Sequence, residues 1–321
     1  MSNGKPFLTL DEQVDLLRQR GMLIDDKASA RQVLLSNNYY NIINGYSKFF
    51  PMTDDCYINH TSFDEVMRLY LLDIELKQAF LKAILAAESH LKSVFAYRFA
   101  EAYHDVRYSY LDIACYDSDK VLSAVQTIHR LSGIINRQRE IAGSSIRHYV
   151  NTYGNVPIWV LVNYIDFGDL RYMIANAHKP IQNSIAHDMT DFLRQNRPDI
   201  AMFPPEYMVD LLKNVNEVRN VCAHNNRLVD FRCRSDSKRW DALFGRYGLT
   251  SRGGRRDAYS VYIALQCYTS KTEFSILHNT VRKRLRHFKN NVHSIEVVRI
   301  LDALGFPADW IDTASVMPQS M

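Results

Sequence analysis

Residues 62–103 read SFDEVMRLYLLDIELKQAFLKAILAAESHLKSVFAYRFAEAY, and this stretch decides the fold class. It opens with the capping box Ser62-Phe63-Asp64-Glu65, a sequence typical of a helix N-terminus. No Gly or Pro follows, and large side chains recur at helical spacing. These are Val66, Leu69, Tyr70, Asp73, Leu76, Phe80 and Ile84. The pattern predicts one long helix or two nearly continuous ones.

The rest of the chain also predicts helices. A capping box at Thr9–Glu12 and a stop at Gly21 delimit the first helix, and 28–35 forms a second. Residues 37–50 are aromatic and rich in turn formers, which favours an irregular lid. Further helices are expected over 119–140, 144–152, 157–166, 169–177, 180–195, 204–228, 259–269, 272–289 and 294–304. The sequence has no strand signals, and it contains only 12 glycines and 9 prolines, fewer than the frequent turns of an all-β chain would need. We therefore predict an all-α fold.

Composition narrows the class of protein. A length of 321 residues permits one large domain or two ordinary ones. Hydrophobic residues make up 47% of the chain and charged residues 23%, and both fractions are ordinary for a globular protein. No run of about 18 uncharged apolar residues and no apolar signal core occurs, so we expect a cytoplasmic protein without a membrane span. The five cysteines are scattered, which favours reduced buried thiols and no zinc site.

Charge is distributed unevenly. Residues 231–290 hold 14 Lys or Arg against 4 Asp or Glu, a net charge of +10, which leaves −6 for the rest of the chain. The Arg- and Gly-rich part, 231–258, is expected to form a loop or a mobile arm. Farther on, one helix face combines Arg282, Arg286 and Lys289, with Lys283 beside it. Such a basic region is either a solvated surface or a binding surface for a polyanion such as RNA.

The sharpest signal is the helix expected to end near Leu228. Residues 211–228 read LLKNVNEVRNVCAHNNRL, in which Leu211, Val215, Val218 and Cys222 form one apolar stripe. Asn220 and His224 are i and i+4 neighbours on the opposite face, with Arg227 close by. Arg219 lies about 140° from His224 around the helix axis. Either the long Arg219 side chain curls round, or two copies of the helix meet and share one site.

These side chains suit cleavage of an RNA phosphodiester without a metal. Histidine can accept or donate a proton near neutral pH, and the planar guanidinium of arginine matches a phosphate. A base would take the proton from a ribose 2′-OH, an arginine would stabilise the crowded anion, and an acid would protonate the leaving 5′-oxygen. The alternative is a capping or surface cluster without chemistry, because this spacing of Arg and His is common in helices.

The stretch Arg219–Leu228, RNVCAHNNRL, resembles the R-N-x-x-x-H signature of the HEPN (higher eukaryotes and prokaryotes nucleotide-binding) superfamily, and specifically the abortive-infection D/F (Abi-like) proteins of bacteria. Other blocks resemble that family in the right order. They are Lys5-Pro6 with Leu10–Gln13, Asn38-Tyr39-Tyr40 with Gly45-Tyr46, Tyr70–Lys77, Ala87-Glu88, Pro157–Val160 with Phe167-Gly168, and Gly305-Phe306-Pro307 with Asp309-Trp310.

The resemblance implies a HEPN-type helical bundle with extra N-terminal helices over 1–60, a core over 61–230 and a basic C-terminal helical module over 231–321. It implies a metal-independent endoribonuclease of phage defence or toxin–antitoxin systems, without a cofactor. A homodimer would share the site, and a structured non-coding RNA is an implied partner. The alternatives are a non-catalytic RNA-binding protein and a dimeric interaction module.

Under this resemblance His224 is the general base or acid, Arg219 stabilises the phosphate, and Asn220 orients His224 or binds an oxygen. Arg227 either binds phosphate or interacts with the helix dipole. Glu88 either forms an exposed ion pair with Lys92 or positions Arg219. The RNA-binding surface would include Arg282, Lys283, Arg286 and Lys289.

Two further features have a functional and a structural interpretation. Tyr39, Tyr40 and Tyr46 either stack on bases or pack in the core. Asp166 and Asp169 either bind a metal or cap a loop. The chain lacks the phosphate-binding GxxxxGK[ST], the dinucleotide-binding GxGxxG and the GxSxG of hydrolases, so NTPase, kinase, dehydrogenase and serine-hydrolase functions have no support.

Overall fold

The computed structural model describes residues 7–249 and 251–318, and Lys5 and Pro6 of the first resembling block lie outside them. Helices dominate, and the only strands in the described part form a hairpin of Met52–Thr53 (β1) and Cys56–Tyr57 (β2). The all-α prediction is confirmed. The helices are α1 (Leu10–Gln19), α2 (Lys27–Asn37), α3 (Phe63–Ala102), α4 (Val121–Gln138), α5 (Ser145–Tyr153), α6 (Ile158–Leu161), α7 (Phe167–Asn176), α8 (Lys179–Asn196), α9 (Pro205–Ala223), α10 (Asp241–Phe244), α11 (Ala258–Ala264), α12 (Lys271–Asn291), α13 (Val297–Leu304) and α14 (Trp310–Thr313).

Short helices of other types connect these elements. Residues 37–50, the expected irregular lid, contain a π-helix, Tyr40–Asn44, and a 3₁₀-helix, Ser47–Phe49. Other 3₁₀-helices are Ser109–Leu111, Ile113–Cys115, Ser118–Lys120, Gly245–Tyr247 and Leu265–Cys267. None of the described helices is both long and apolar enough to cross a lipid bilayer.

The chain forms two compact units, each built from segments that are distant in sequence. Of the described residues, the first contains 7–79, 221–231 and 278–317, and the second contains 80–220, 232–249, 251–277 and 318. The long helices α3, α9 and α12 each contribute residues to both units. The division into the segments 1–60, 61–230 and 231–321 expected from the sequence stays a prediction.

In the first unit, α1 begins as its sequence dictates. Thr9 and Glu12 complete a capping box, and the helix buries Val14 and Leu17. The chain then turns at Gly21, where φ is +80° and an added Cβ would lie 2.8 Å from the carbonyl oxygen of Tyr57. Both facts require glycine at this turn. The turn brings Arg20 to the hairpin, whose Tyr57 N–H donates to the Arg20 carbonyl at 2.7 Å.

In the second unit, α3 supplies a continuous apolar stripe, with Phe80, Ile84, Leu91, Phe95 and Phe99 fully buried. One uninterrupted helix forms, as the absence of Gly and Pro favours. The helix expected over 157–166 is shorter than predicted. Only Ile158–Leu161 is α-helical, because a turn follows and Asp166 then caps a new helix by accepting the N–H of Asp169 at 2.8 Å.

The described residues of the basic segment, 232–249 and 251–257, pack into the second unit as a loop that contains α10, which agrees with the loop alternative and not with a mobile arm. Trp240, 7% exposed, stacks on Phe203 and Tyr207 at centroid distances of 5.4 and 5.1 Å. Arg255 is also buried and donates to the carbonyls of Ser237 at 2.9 Å and Ser251 at 2.7 Å. The guanidinium therefore organises the loop and does not face solvent.

Candidate functional site

The apolar side of α9 is buried as predicted, which orients the helix. Leu211, Val215, Val218 and Cys222 are all inaccessible or nearly so. Burial raises the pKa of the Cys222 thiol to about 12, with the nearby Asp73 carboxylate contributing. This thiol is therefore a packing group and not a nucleophile.

The polar side of α9 holds the basic segment in place within the second unit. The buried amide of Asn214 donates to the Ser235 and Arg255 carbonyls, both at 3.1 Å, and to the Ser237 hydroxyl at 3.0 Å. Glu217 accepts the N–H of Arg234 at 3.0 Å. Sequence reasoning missed both residues, because neither the asparagine nor the glutamate belongs to a recognisable pattern.

Arg219 and Asn220 lie near the C-terminal end of α9, within the second unit. Arg219 is half-buried, its Nη1 is 3.4 Å from the Asn220 side-chain oxygen, and its Nε is buried without a hydrogen-bond partner among residues 7–249 and 251–318. Asn220 is exposed. A guanidinium with an unsatisfied buried N–H retains capacity for a further acceptor.

Glu88 is also in the second unit and forms the predicted ion pair with Lys92, at 2.8 Å. Contrary to the exposed-pair interpretation, Glu88 is only 7% exposed, and its second oxygen is buried without a partner in the described part of the chain. Within that part no ion pair joins Glu88 to Arg219. A role of Glu88 in positioning Arg219 stays a prediction.

His224 is the first residue after α9. The sequence predicted that this helix would continue to about Leu228, but it ends five residues earlier. The helix ends at Ala223, and Asn225 adopts φ +53°. Asparagine tolerates this left-handed conformation, so it ends a helix where the sequence shows no glycine. His224 and Asn225 are exposed, and the Asn226 N–H closes the turn on the Val221 carbonyl at 3.0 Å. Arg227 consequently lies outside the helix.

The chain after His224 is held by a buried polar centre of the first unit. The Asp73 carboxylate is fully buried and accepts the N–H groups of Leu228 at 2.9 Å and Val229 at 2.8 Å. Its other oxygen accepts the Tyr46 hydroxyl at 2.8 Å and pairs with Lys77 at 3.0 Å. Both oxygens of the buried carboxylate therefore accept hydrogen bonds, and Lys77 compensates its charge. A buried charge is tolerated when it is paired and hydrogen-bonded in this way.

Lys77 extends this centre to the motif. It is 4% exposed, and its Nζ donates to the side-chain oxygen of Asn225 at 2.6 Å. Burial and the Asp73 charge hold the pKa of Tyr46 well above its usual range, so this tyrosine packs in the core as a hydrogen-bond donor and not as a base-stacking platform. The sequence analysis did not predict that Asp73, Lys77 and Tyr46 come together. The charged Asp73 within an otherwise apolar helical pattern was the feature that could have indicated a buried polar centre.

Arg227 contacts the first unit at several points. Its Nε donates to the Val229 carbonyl at 3.0 Å, its Nη1 donates to the Gly45 carbonyl, and its Nη2 lies 3.8 Å from Asp230. The guanidinium thus stabilises the loop after His224. Arg227 lies four residues beyond the end of α9 at Ala223, and its interaction with the helix dipole stays a prediction.

The expected RNA-binding face of α12 is in contact with a strap formed by residues 311–317, within the first unit. Arg286 donates to the Ile311 carbonyl at 3.2 Å, and Arg282 to the Ala314 carbonyl at 2.6 Å. Lys289 pairs with Asp312 at 2.9 Å, and Lys283 is exposed. Three of the four predicted RNA-binding side chains therefore already have an intramolecular acceptor, and within the described residues Lys283 is the one that has none.

The strap is also fixed at its other end. His278 Nε2 lies 2.7 Å from the Ser315 carbonyl, and Asn279 exchanges two hydrogen bonds with the Met317 backbone, at 2.8 and 2.9 Å. Burial lowers the pKa of His278, and the Arg282 charge adds to this, against the raising effect of the Ser315 carbonyl.

The remaining predicted residues have structural roles. Asp166 caps α7, and Asp169 pairs with Arg130 at 3.0 Å. Burial raises the pKa of Asp169, with the Asp166 charge contributing and Arg130 opposing. In the part of the chain that the structure describes, no cluster of three His, Cys, Asp or Glu side chains could hold a metal ion.

Comparison with known proteins gives one match. A family model described as Abi-like protein matches residues 32–230, which include the long helix, α9 and the motif. Comparison with curated proteins and with solved structures gave no match. The matched range covers more than half of the chain, and it contains the blocks that suggested the abortive-infection family from sequence, with the exception of the first and the last.

Proposed function

This chain belongs to the Abi-like family, which supports a role in abortive infection, and we propose that it acts there as a metal-independent endoribonuclease of the HEPN type. The observation that carries the proposal is an exposed histidine next to an anchored loop. His224 is exposed, while Asn225 is held by Lys77 and Leu228 by Asp73. An accessible imidazole on a fixed backbone suits proton transfer, which depends on geometry first.

In the proposed reaction, His224 takes the proton from a ribose 2′-OH or delivers one to the leaving 5′-oxygen. The 2′-oxygen attacks the adjacent phosphorus, the bond to the 5′-oxygen breaks, and a 2′,3′-cyclic phosphate and a 5′-hydroxyl result. Arg219, whose buried Nε has no partner in residues 7–249 and 251–318, stabilises the phosphate as negative charge develops. Asn220 orients the imidazole or donates to a phosphate oxygen.

We further propose that two protomers share the site. On an ideal helix, sequence positions 219 and 224 are separated by about 140°, and this spacing supports a site to which each of two protomers contributes. A second copy of α9 would bring one protomer's guanidinium towards the other's imidazole. A structured RNA is the proposed regulatory partner, and sequencing RNA that co-purifies with the protein tests this.

The decisive experiment incubates the purified protein with total RNA in the presence of EDTA. We expect cleavage products with 2′,3′-cyclic phosphate ends. His224→Ala should abolish cleavage without loss of thermal stability, because the side chain is exposed. His187→Ala, which also removes an exposed histidine side chain (87% exposed), is the matched control and should cleave normally.

Three results would oppose the proposal. Full cleavage by a folded His224→Ala protein contradicts the assigned chemistry. RNA binding without cleavage by the unmodified protein supports the non-catalytic alternative. A protein that is monomeric by analytical ultracentrifugation while it cleaves at its full rate contradicts the shared site.

A further inference from the structure

A polar cleft of about 250 Å³ lies in the first unit, beside the residues that follow His224. Its walls include Tyr40, Asn44, Gly45, Lys77, Asn226 and Arg227. The cleft is slightly smaller than the pockets of about 300–1,000 Å³ that hold drug-sized ligands. It can therefore accept a small planar group with a polar substituent, but not a folded macromolecule.

Tyr40 gives the cleft an accessible aromatic face. Tyr40 is 69% exposed, among the highest values for the large hydrophobic residues of the described chain. Tyr46, in contrast, is buried, and its hydroxyl donates to the Asp73 carboxylate. Tyr40 begins the π-helix Tyr40–Asn44, and helices of this rare type occur frequently at functional sites. An exposed tyrosine at the edge of a cleft can stack on an unpaired base of any identity.

The other walls offer hydrogen-bonding groups and positive charge. Asn44 and Asn226 are exposed, and their side chains make no hydrogen bond within the described residues. An asparagine amide presents a donor and an acceptor together, as the edge of a base does. Lys77 and Arg227 supply two cations, and no aspartate or glutamate lines the cleft. The buried Asp73 neutralises Lys77. Arg227 lies 3.8 Å from Asp230, but Lys48 also pairs with that carboxylate, so the group of three keeps a net positive charge that attracts phosphate.

Gly45 is a further wall of the cleft, and the fold does not require glycine there. Its φ of −72° is an ordinary helical value, and no heavy atom lies within 4 Å of the position that a Cβ would occupy. An alanine would be compatible with the backbone. A side chain at this position would instead project into open space at the wall of the cleft, to which Arg227 also contributes.

We infer that this cleft binds one nucleotide of single-stranded RNA, with the base on Tyr40 and a phosphate towards Arg227. The inference rests on the proposed function, because it gives that site the surface that places the strand beside His224. It names a substrate class, unpaired RNA, since a base within a duplex has no free face to stack on tyrosine.

The test measures binding of a short, fluorescently labelled single-stranded RNA of mixed sequence by fluorescence anisotropy. The parent for all variants is His224→Ala, so that the probe stays intact. Tyr40→Ala should weaken binding by about 5- to 150-fold, the range expected for one lost stacking interaction. Tyr40→Phe should bind like the parent. Tyr153→Ala removes a tyrosine of similar exposure, 62%, outside the cleft and should also leave binding unchanged.

A second variant tests the geometry of the cleft without weakening the fold. Gly45→Ala should reduce RNA affinity several-fold while the melting temperature stays equal or rises, because alanine restricts the unfolded chain more than glycine does. Unchanged affinity in both Tyr40→Ala and Gly45→Ala would overturn the inference. So would equal affinity of the parent for the same sequence as a duplex.

Failure of the inference and failure of the proposed function give different results. If the unmodified protein cleaves RNA and both Tyr40→Ala and Gly45→Ala bind RNA normally, the cleft assignment is wrong and the ribonuclease proposal stands. If the unmodified protein never cleaves but binding depends on Tyr40, the cleft assignment stands and the ribonuclease proposal is wrong.

Discussion

The Nζ of Lys77 donates to the side-chain oxygen of Asn225 at 2.6 Å, so a buried cation of the long helix holds the residue that follows His224. The two residues are 148 positions apart in sequence. Lys77 is in turn neutralised by Asp73, one helical turn earlier. The conformation of the motif loop is therefore stabilised both by this salt bridge of the first unit and by the local turn at Asn225.

The first prediction concerns this buried pair. Asp73→Ala should lower the free energy of unfolding by about 3–5 kcal/mol, because it leaves the buried Lys77 charge without its counter-ion and two backbone N–H groups buried without an acceptor. The double variant Asp73→Ala/Lys77→Met should be more stable than the sum of the single effects predicts, since it removes the unpaired charge. Urea denaturation measures both.

The control for this pair is Asp64→Ala, which removes an exposed carboxylate near the start of the same helix. Its cost should be about 1 kcal/mol or less, from the lost interaction with the helix N-terminus. Strictly additive effects of the Asp73 and Lys77 substitutions would show that the two charges do not interact.

The second prediction concerns the basic segment 232–257. Although it contains many Lys and Arg residues, it should resist trypsin in the native protein, because Trp240 and Arg255 anchor it. Trp240→Ala should cost about 3–5 kcal/mol and make the segment cleavable. Mass spectrometry of the fragments checks this. Arg252→Ala, at an exposed position, is the control, and cleavage of the native segment at the rate of an unfolded peptide would contradict the packing.

The third prediction concerns pH. Burial lowers the pKa of His278 in the folded protein, so folding favours the neutral ring. Its contribution is fully present above the unfolded value near 6.5 and is lost as the pH falls through the lower folded value. The free energy of unfolding should therefore decrease as the pH falls below about 6.5.

His278→Gln tests this assignment, because the amide can still donate to the Ser315 carbonyl but does not titrate. We expect a flatter dependence of stability on pH in that variant than in the unmodified protein. Identical slopes for the two proteins between pH 7 and pH 5 would exclude His278 as the source.

The fourth prediction distinguishes the cations of α12 that bind RNA from those that stabilise the fold. Lys283→Ala, at an exposed position, should weaken RNA binding and reduce the slope of log affinity against log salt by about 0.7, the value for one phosphate of a single strand. Arg282→Ala should instead lower the melting temperature, because it removes a hydrogen bond to the Ala314 carbonyl. An unchanged salt slope in Lys283→Ala would remove α12 from the RNA-binding surface.

Regular features could be predicted from the sequence, because they repeat locally. The forty residues of α3 form one helix since no residue interrupts the periodic pattern. The start of α9 at Pro205 also follows a local rule. The end of α9 was predicted incorrectly. The left-handed conformation that follows a helix is usually marked in a sequence by glycine, but here Asn225 adopts it.

Long-range polar contacts could not be predicted. Position 73 was recognised as part of a helical stripe, but its partners Tyr46 and Leu228 lie 27 and 155 residues away. The segment 232–257 looked mobile, because charge and glycine content are visible in a sequence, whereas stacking of Trp240 on Phe203 is not. Periodicity reports which side of a helix is buried, but not what the buried polar atoms contact.

The strap over α12 is held largely through its main chain. Arg286, Arg282 and His278 contact the carbonyl oxygens of Ile311, Ala314 and Ser315, which any residue supplies. Evolutionary drift can therefore change most side chains of the strap without loss of these contacts, while the three side chains on α12 have no such freedom. Among homologues, the strap should diverge in sequence although its path along the helix persists.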